Sequence, residues 1–310
     1  MPNLIVVEGL DPREYEHSYD GKALDALRSA AGFESVVRLF NKHLVERLLT
    51  VQYTGSNLKI TNQNYPKIYS LLDHACEVLS LKKRPDLYLE PHFGINAATI
   101  GSEKPIIVLS SDAIDLLDEL ELIYILGHEI GHIKSDHVLY HQLASTFPVL
   151  ATIIGDMTLG LGQAISIPIQ GALYNWSRMS EFTADRAGLL ACQDVEVAGR
   201  VMMKIAGMPI KYYNDMDFEI FVQQAKEFEE LDYDSLNKAA KFLLAMDQTH
   251  PWTVMRTAQL FRWIETGEYT SVLERKTVEL AYKKDGACRR CGYRLAGNEK
   301  FCPLCGKSLG

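Results

Sequence analysis

The segment Gly127-His-Glu-Ile-Gly-His132 restricts what this chain can fold into more than any other. It falls in a run where Leu120, Ile123, Tyr124, Leu126, Gly127 and Ile130 supply an apolar face at helical spacing. On an α-helix, residues four apart differ by about 40° around the axis, so the two imidazoles point the same way and can meet one ion. Glu129 lies beside the first histidine and cannot share its position. A fold that contains this helix must bury one stripe of it, keep both histidines converged on a point, and bring further donors from elsewhere.

Two histidines four apart with this glutamate form the H-E-x-x-H pattern, in which neutral imidazoles hold zinc and the glutamate takes a proton from water. A catalytic zinc takes three protein ligands, so one is missing. One class of such proteins continues to a third histidine six residues after the second, with a glycine at the third residue. Those positions are Val138 and Ser135 here, which excludes that class. His137 is one residue off, and a helix running on through this region would turn it away from the ion. Another class takes a glutamate from a later helix, and Ser180-Glu-Phe-Thr-Ala-Asp-Arg186 offers Glu181 with Asp185 one turn on. There Glu181 would bind the metal, and Asp185 would accept the outward N–H of a ligand histidine. His137 and His141, four apart, read as solvated helix histidines rather than as ligands of another ion.

Around the motif, Ser35–Thr50 and Pro66–Lys82 carry helical periodicity, with Pro66 placed to start a helix. Leu87–Glu90, Phe93–Ala98 and Pro105–Ser110 are short runs of β-formers separated by polar residues, Pro and Gly, and predict a small sheet. The remainder to about Tyr282 reads as helix. Phe147–Trp176 is nearly free of charge, but Asp156, Gln163 and Gln170 interrupt it, and a span needs roughly 20 continuous apolar residues. A buried hairpin or a lid is the expectation, and this stretch is the candidate for peripheral membrane contact. Cys76 and Cys192 read as small core residues.

In order along the chain, Asn96-Ala97, His128 to His132, Glu181 to Asp185 with Arg186, and His250-Pro251 with Arg256 resemble the gluzincin metallopeptidases that include HtpX and the CAAX prenyl proteases. The likeness covers roughly residues 66–265. It implies that Asn96-Ala97 lies on an edge strand that pairs with an extended peptide substrate, as an open edge can at any sequence. It also implies that His250 stabilises the oxyanion of the tetrahedral intermediate. The membrane members carry clear spanning segments, which this chain lacks at its N-terminus, so a cytoplasmic protein, associated with a membrane at most peripherally, is expected.

Cys288-Arg-Arg-Cys-Gly292 and Cys302-Pro-Leu-Cys-Gly306 are two knuckles with ten residues between them. Four thiolates close a tetrahedral zinc site without an open position, and a segment this short cannot fold on apolar burial alone. The expectation is a structural zinc on Cys288, Cys291, Cys302 and Cys305, in a ribbon over 287–310 that follows a metallopeptidase domain over 1–282. Seven Lys/Arg against two acids from Lys283 to Gly310 make the tail basic, while the whole chain carries −8, which argues against nucleic acid and for a protein partner. The expected fold is α+β and mainly helical, with the H-E-x-x-H helix behind a small edge sheet. The expected activity is endopeptidase cleavage of protein or peptide substrates, with zinc and Glu129 activating water. Its rival is a zinc-stabilised adaptor or chaperone that binds clients without cutting. Retention of Glu129 favours the enzyme, because a structural site has no need of a base.

Overall fold

The computed structural model describes residues 4–21, 46–157, 161–230 and 252–274, with 148–157, 161–169, 210, 213–214 and 229–230 as backbone only. Its helices are α1 (Glu46–Ser56), α2 (Pro66–Val78), α3 (Ser111–Leu116), α4 (Glu119–Lys134), α5 (His137–Met157), α6 (Leu161–Cys192), α7 (Val195–Ile205), α8 (Phe218–Glu230), α9 (Thr253–Glu265) and α10 (Glu268–Leu273). The strands are β1 (Leu58–Ile60), β2 (Asp86–Glu90), β3 (Ala97–Ile100) and β4 (Ile106–Ser110), in the order β1-β2-β4-β3. The protein is thus mainly helical with one small sheet.

Within the sheet β2 and β4 run parallel, β1 is antiparallel to β2, and β3 is antiparallel to β4, which leaves β3 at an edge. Strand alternation sends Leu87, Ile107 and Leu109 into the main core with α2 and α4, and Tyr88, Ile100, Ile106 and Val108 to the opposite face. Leu49 and Tyr53 of α1 cover that second face. Phe93–Ala98 differs from expectation: Gly94 turns the chain at φ 79°, Phe93 stands 96 % exposed, and pairing starts only at Ala97. Strand β1 is too short for periodicity to have announced it. Helix α2 begins at Pro66 as predicted but stops at Val78, since Ser80 takes a left-handed turn (φ 52°).

Helix α4 is nucleated by a capping box in which the Asp118 carboxylate accepts from Glu121 N–H and the Glu121 carboxylate accepts from Asp118 N–H. Glu121 is fully buried and also accepts from Arg200 and Lys204 of α7, at 3.2 and 2.6 Å, so the cap ties α4 to α7. Among the described residues, the most extensive helix contact is α4 against α6. Glycine permits it. A Cβ on Gly127 would collide with Ala191 Cβ, and one on Gly131 would lie 2.7 Å from Ala187 Cβ. Helix α4 then stops at Ser135, and Asp136 (φ 61°) redirects the chain into α5.

Of the weakly charged stretch, 147–157 lies in α5 and 161–176 in α6, and the two helices pack together through Leu139, Tyr140, Leu143 and Ala144 against Leu173 and Trp176. Among the described residues, no helix is long and apolar enough to cross a membrane. Cys76 and Cys192 are buried free thiols, each pushed up to about 12 by burial, as small core residues should be.

Residues 4–21 form a strap across this body. Val7, Leu10 and Tyr15 enter the main core, and Arg186 of α6 donates to the Tyr15 and Glu16 carbonyls. His17 N–H donates to Thr183 Oγ1, while its ring accepts from Tyr19 N–H at Nδ1 and so faces Gln259 Oε1 with Nε2–H. That arrangement is neutral. Burial, with Arg186 nearby, pushes the imidazole down to about 4.

Two outcomes follow from this packing. Gly127→Ala gains about 1 kcal/mol of helix propensity but overpacks the α4–α6 contact at a cost of about 1–3 kcal/mol. Calorimetry should show a lower Tm, restored in part by Ala191→Gly in the same chain. For His17, the unfolded chain binds more protons than the folded one between about pH 6.5 and 4, so its stabilising effect is complete above 6.5 and is lost as pH falls toward 4. Tm measured from pH 7 to 5 should fall, and His17→Gln should flatten that slope.

Candidate metal centre

The close approach of α4 and α6 sets two i,i+4 pairs face to face: His128 and His132 on one helix, Glu181 and Asp185 on the other. His128 Nε2 and His132 Nε2 are 3.2 Å apart. Glu181 Oε2 is 3.4 Å from His128 Nε2, and Glu181 Oε1 is 3.3 Å from His132 Nε2. A tetrahedron with zinc–ligand bonds of about 2.0–2.1 Å has edges of about 3.3–3.4 Å, close to the spacing of the two imidazole nitrogens and to that of each nitrogen from the Glu181 oxygen facing it. All three residues are buried, Glu181 completely.

Behind His128, Asp185 Oδ1 lies 3.0 Å from Nδ1, which holds a hydrogen on that nitrogen and turns Nε2 toward Glu181 and His132. The same carboxylate accepts from Tyr124 Oη at 3.1 Å and from Arg256 of α9 at 2.8 and 2.6 Å. Burial raises the Asp185 pKa, yet the Arg256 guanidinium and the His128 bond outweigh it and hold the carboxyl below its ordinary range. Arg256 also lies 3.5 Å from Glu181. Glu181 and Asp185 thus share one guanidinium, and Glu129 adds a third buried carboxylate beside the ligand histidines, a deficit of positive charge that a divalent cation corrects. Burial works against protonation of His128, but Asp185 and Glu181 prevail and raise it to about 9; at His132 burial wins over Glu181 and lowers the pKa.

Glu129 is 4 % exposed and accepts a 2.6 Å hydrogen bond from Thr99 Oγ1 at Oε2. Thr99 belongs to β3, so the edge strand and the glutamate are coupled directly. Ala97 is the first residue of β3, and Asn96 precedes it, with its N–H on Ser110 Oγ, its C=O accepting from Ser110 N–H, and its amide 3.4 Å from Glu90 Oε1.

Peptidase family M48 matches residues 62–264 of this chain. The chain belongs to Peptidase family M48. It is a zinc metallopeptidase that acts on polypeptides. Plastoglobule-localized metallopeptidase 48, chloroplastic, of Arabidopsis thaliana is 28 % identical over 273 residues, covering 87 % of this chain and 78 % of its own length. Protease HtpX homologs of Burkholderia lata and Polynucleobacter necessarius are 23 % and 22 % identical, each over 79 % of this chain and 88 % of the relative. No solved structure matches the chain significantly.

Of the residues singled out by sequence, the structure brings together His128, Glu129, His132, Glu181 and Asp185. His250 and the cysteines Cys288, Cys291, Cys302 and Cys305 lie outside the described residues. Sequence reasoning missed Thr99 and Tyr124, whose residue types carry no local signal of a distant partner. It was also wrong about His137 and His141. They are not solvated: His137 is fully buried and His141 half-buried, because the left-handed turn at Asp136 folds α5 back over the end of α4. His137 Nδ1 reaches His132 Nδ1 at 3.1 Å, on the side of the ring away from Glu181.

Removing Arg256 leaves Asp185 buried without its cation, which costs about 3–5 kcal/mol. Differential scanning calorimetry of Arg256→Met should show Tm lowered by on the order of 10 °C, and Asp185→Ala, which leaves Arg256 without its bidentate carboxylate, should lower Tm as well and in addition weaken zinc retention against a chelator by roughly 10- to 100-fold.

Proposed function

We propose that His128, His132 and Glu181 hold a catalytic zinc, that Glu129 is the general base, and that the protein is an endopeptidase. The observation that carries this reading is the convergence of the two imidazole nitrogens and the Glu181 carboxylate at 3.2–3.4 Å, one oxygen facing each ring, beside a buried glutamate. When bound, zinc supplies a Lewis acid for the scissile carbonyl and a lowered pKa for water. Glu129 removes the proton from that water and returns it to the leaving amine. Thr99 occupies one carboxylate oxygen of Glu129 and so orients the other for the proton. Asp185 holds His128 in the tautomer that exposes Nε2. His250 supports the oxyanion.

An extended substrate adds to the edge of β3 that no other described strand pairs with, beyond Asn96 and Ala97. This is supported by the bond from Thr99 to Glu129, which places the base at the middle of that edge strand. A peptide laid along an edge can run on in both directions, which suits internal cleavage. The segment 287–310 forms a separate ribbon around a structural zinc, following a catalytic domain over 1–282, and serves as a protein-docking element. The stretch 147–176 makes peripheral contact with a membrane and does not span it.

Elemental analysis of the full chain and of Glu129→Gln, paired with casein cleavage by each, tests these assignments. Two zincs per chain are expected in both, with cleavage reduced at least about 100-fold in the variant. Equal cleavage by the two proteins would remove Glu129 from the reaction. If both carry two zincs and neither cuts casein or other unfolded proteins, with or without detergent, client binding without cleavage becomes the better account.

A further inference from the structure

The two ligand histidines on α4 are supported in different ways. Behind His128 stands a carboxylate. Behind His132 stands another histidine, and behind that a second carboxylate, Asp20, contributed by the N-terminal strap. We propose that His137 and Asp20 are positioning residues for His132, forming a relay that holds it as a zinc ligand. This rests on the assignment of His132 as a ligand.

The hydrogen-bond directions allow one neutral solution. His132 Nε2 faces Glu181 and His128, while its Nδ1 lies 3.1 Å from His137 Nδ1. Two ring nitrogens at that distance need one hydrogen between them. His137 Nε2 is 3.0 Å from Asp20 Oδ2, a charge contact in which the ring N–H is not aligned on the oxygen; because an ionised carboxylate only accepts, Asp20 favours the His137 hydrogen on Nε2. His137 Nδ1 is then bare and must accept, which puts the hydrogen of His132 on Nδ1. His132 Nε2 is left bare, the form a metal takes.

Asp20 is itself fixed: it accepts from Trp176 Nε1 at 3.0 Å and from Thr183 Oγ1 at 2.6 Å, both on α6, and neither Asp20 nor His137 is exposed. Asp20 also lies before residue 62, where the family match begins, so one half of the zinc support comes from outside the matched region.

His132, His137 and His141 also stand close enough to hold an ion among themselves. Polar partners already stand against these nitrogens. His141 Nε2 is 2.8 Å from Ser180 Oγ and its Nδ1 is 3.0 Å from Ser177 Oγ. An ion here would also require His132 to lose both ring hydrogens while it served the first zinc.

The test uses the full chain as wild type, His132→Ala, His137→Phe, His137→Asn and Asp20→Asn. Zinc retention is titrated with a chelator, and histidine-selective nitrogen-15 NMR observes the imidazole N–H groups. His137→Phe should weaken retention of one zinc by roughly 10- to 100-fold and leave the other unchanged. It should also abolish the protected N–H signals of His132 Nδ1 and His137 Nε2. His137→Asn, whose amide oxygen can accept where Nδ1 did, should recover most of the affinity, which a role in packing alone would not predict. Asp20→Asn should fall between them, and serves in place of His137→Phe if circular dichroism shows that variant unfolded. Zinc that depends on His132 but is indifferent to both His137 and Asp20 overturns the relay alone. An additional zinc equivalent that disappears in His137→Phe, with no hydrogen on His132 Nδ1, overturns it in favour of a second metal site. Zinc indifferent to His132→Ala instead refutes the ligand assignment on which the relay rests.

Discussion

The distance between α4 and α6 governs the rest of the centre. Two glycines on α4 meet alanines on α6 where any larger side chain would force the helices apart. Each helix repeats its functional residues at an interval of four, so one close crossing brings four of them to a single locus. A backbone shift of an ångström would leave three buried donors facing one another without reaching a common ion, and Asp185 out of reach of His128. The small residues of this interface therefore belong to the chemistry as much as the ligands do, although they touch no substrate.

Crowding carboxylates into a buried space is costly, and the structure offsets that cost by connectivity. Arg256 arrives from α9 to bind Asp185 in bidentate fashion, Tyr124 adds a further donor, and Asp185 passes its influence to His128. Even so, the negative charge exceeds the positive, and the elevated proton affinity of His128 is the mark of that imbalance. A site in this condition takes up a cation readily. The chain thus spends buried electrostatic strain in one place and recovers it through the metal its family uses.

Much of the centre was legible in the sequence because local periodicity carries it. His128, Glu129 and His132 announce themselves on one helix, and Glu181 with Asp185 repeats the same interval on another. Pro66 marked a helix start for the same kind of local reason. Thr99 was not legible, since a threonine in a strand has no distinguishing neighbours and its bond to Glu129 spans thirty residues. His137 misled because its position was judged on a helix assumed to continue. A single residue, Asp136, takes the left-handed conformation instead, and nothing in a lone aspartate requires that.

The sequence by itself determined the donor types, their spacing along each helix and the family to which they point, because those properties are set within a turn or two of helix. Only the tertiary structure decided how near α4 comes to α6, which strand edge lies beside Glu129, and which residues stand behind the two histidines. Asp20 and Thr183 are 163 positions apart in the chain yet share a hydrogen bond, and Arg256 crosses 71 positions to reach Asp185. Such partners are selected by the packing of the whole core, where a buried polar group must find whatever complement the fold delivers, and no local pattern in the chain records that choice.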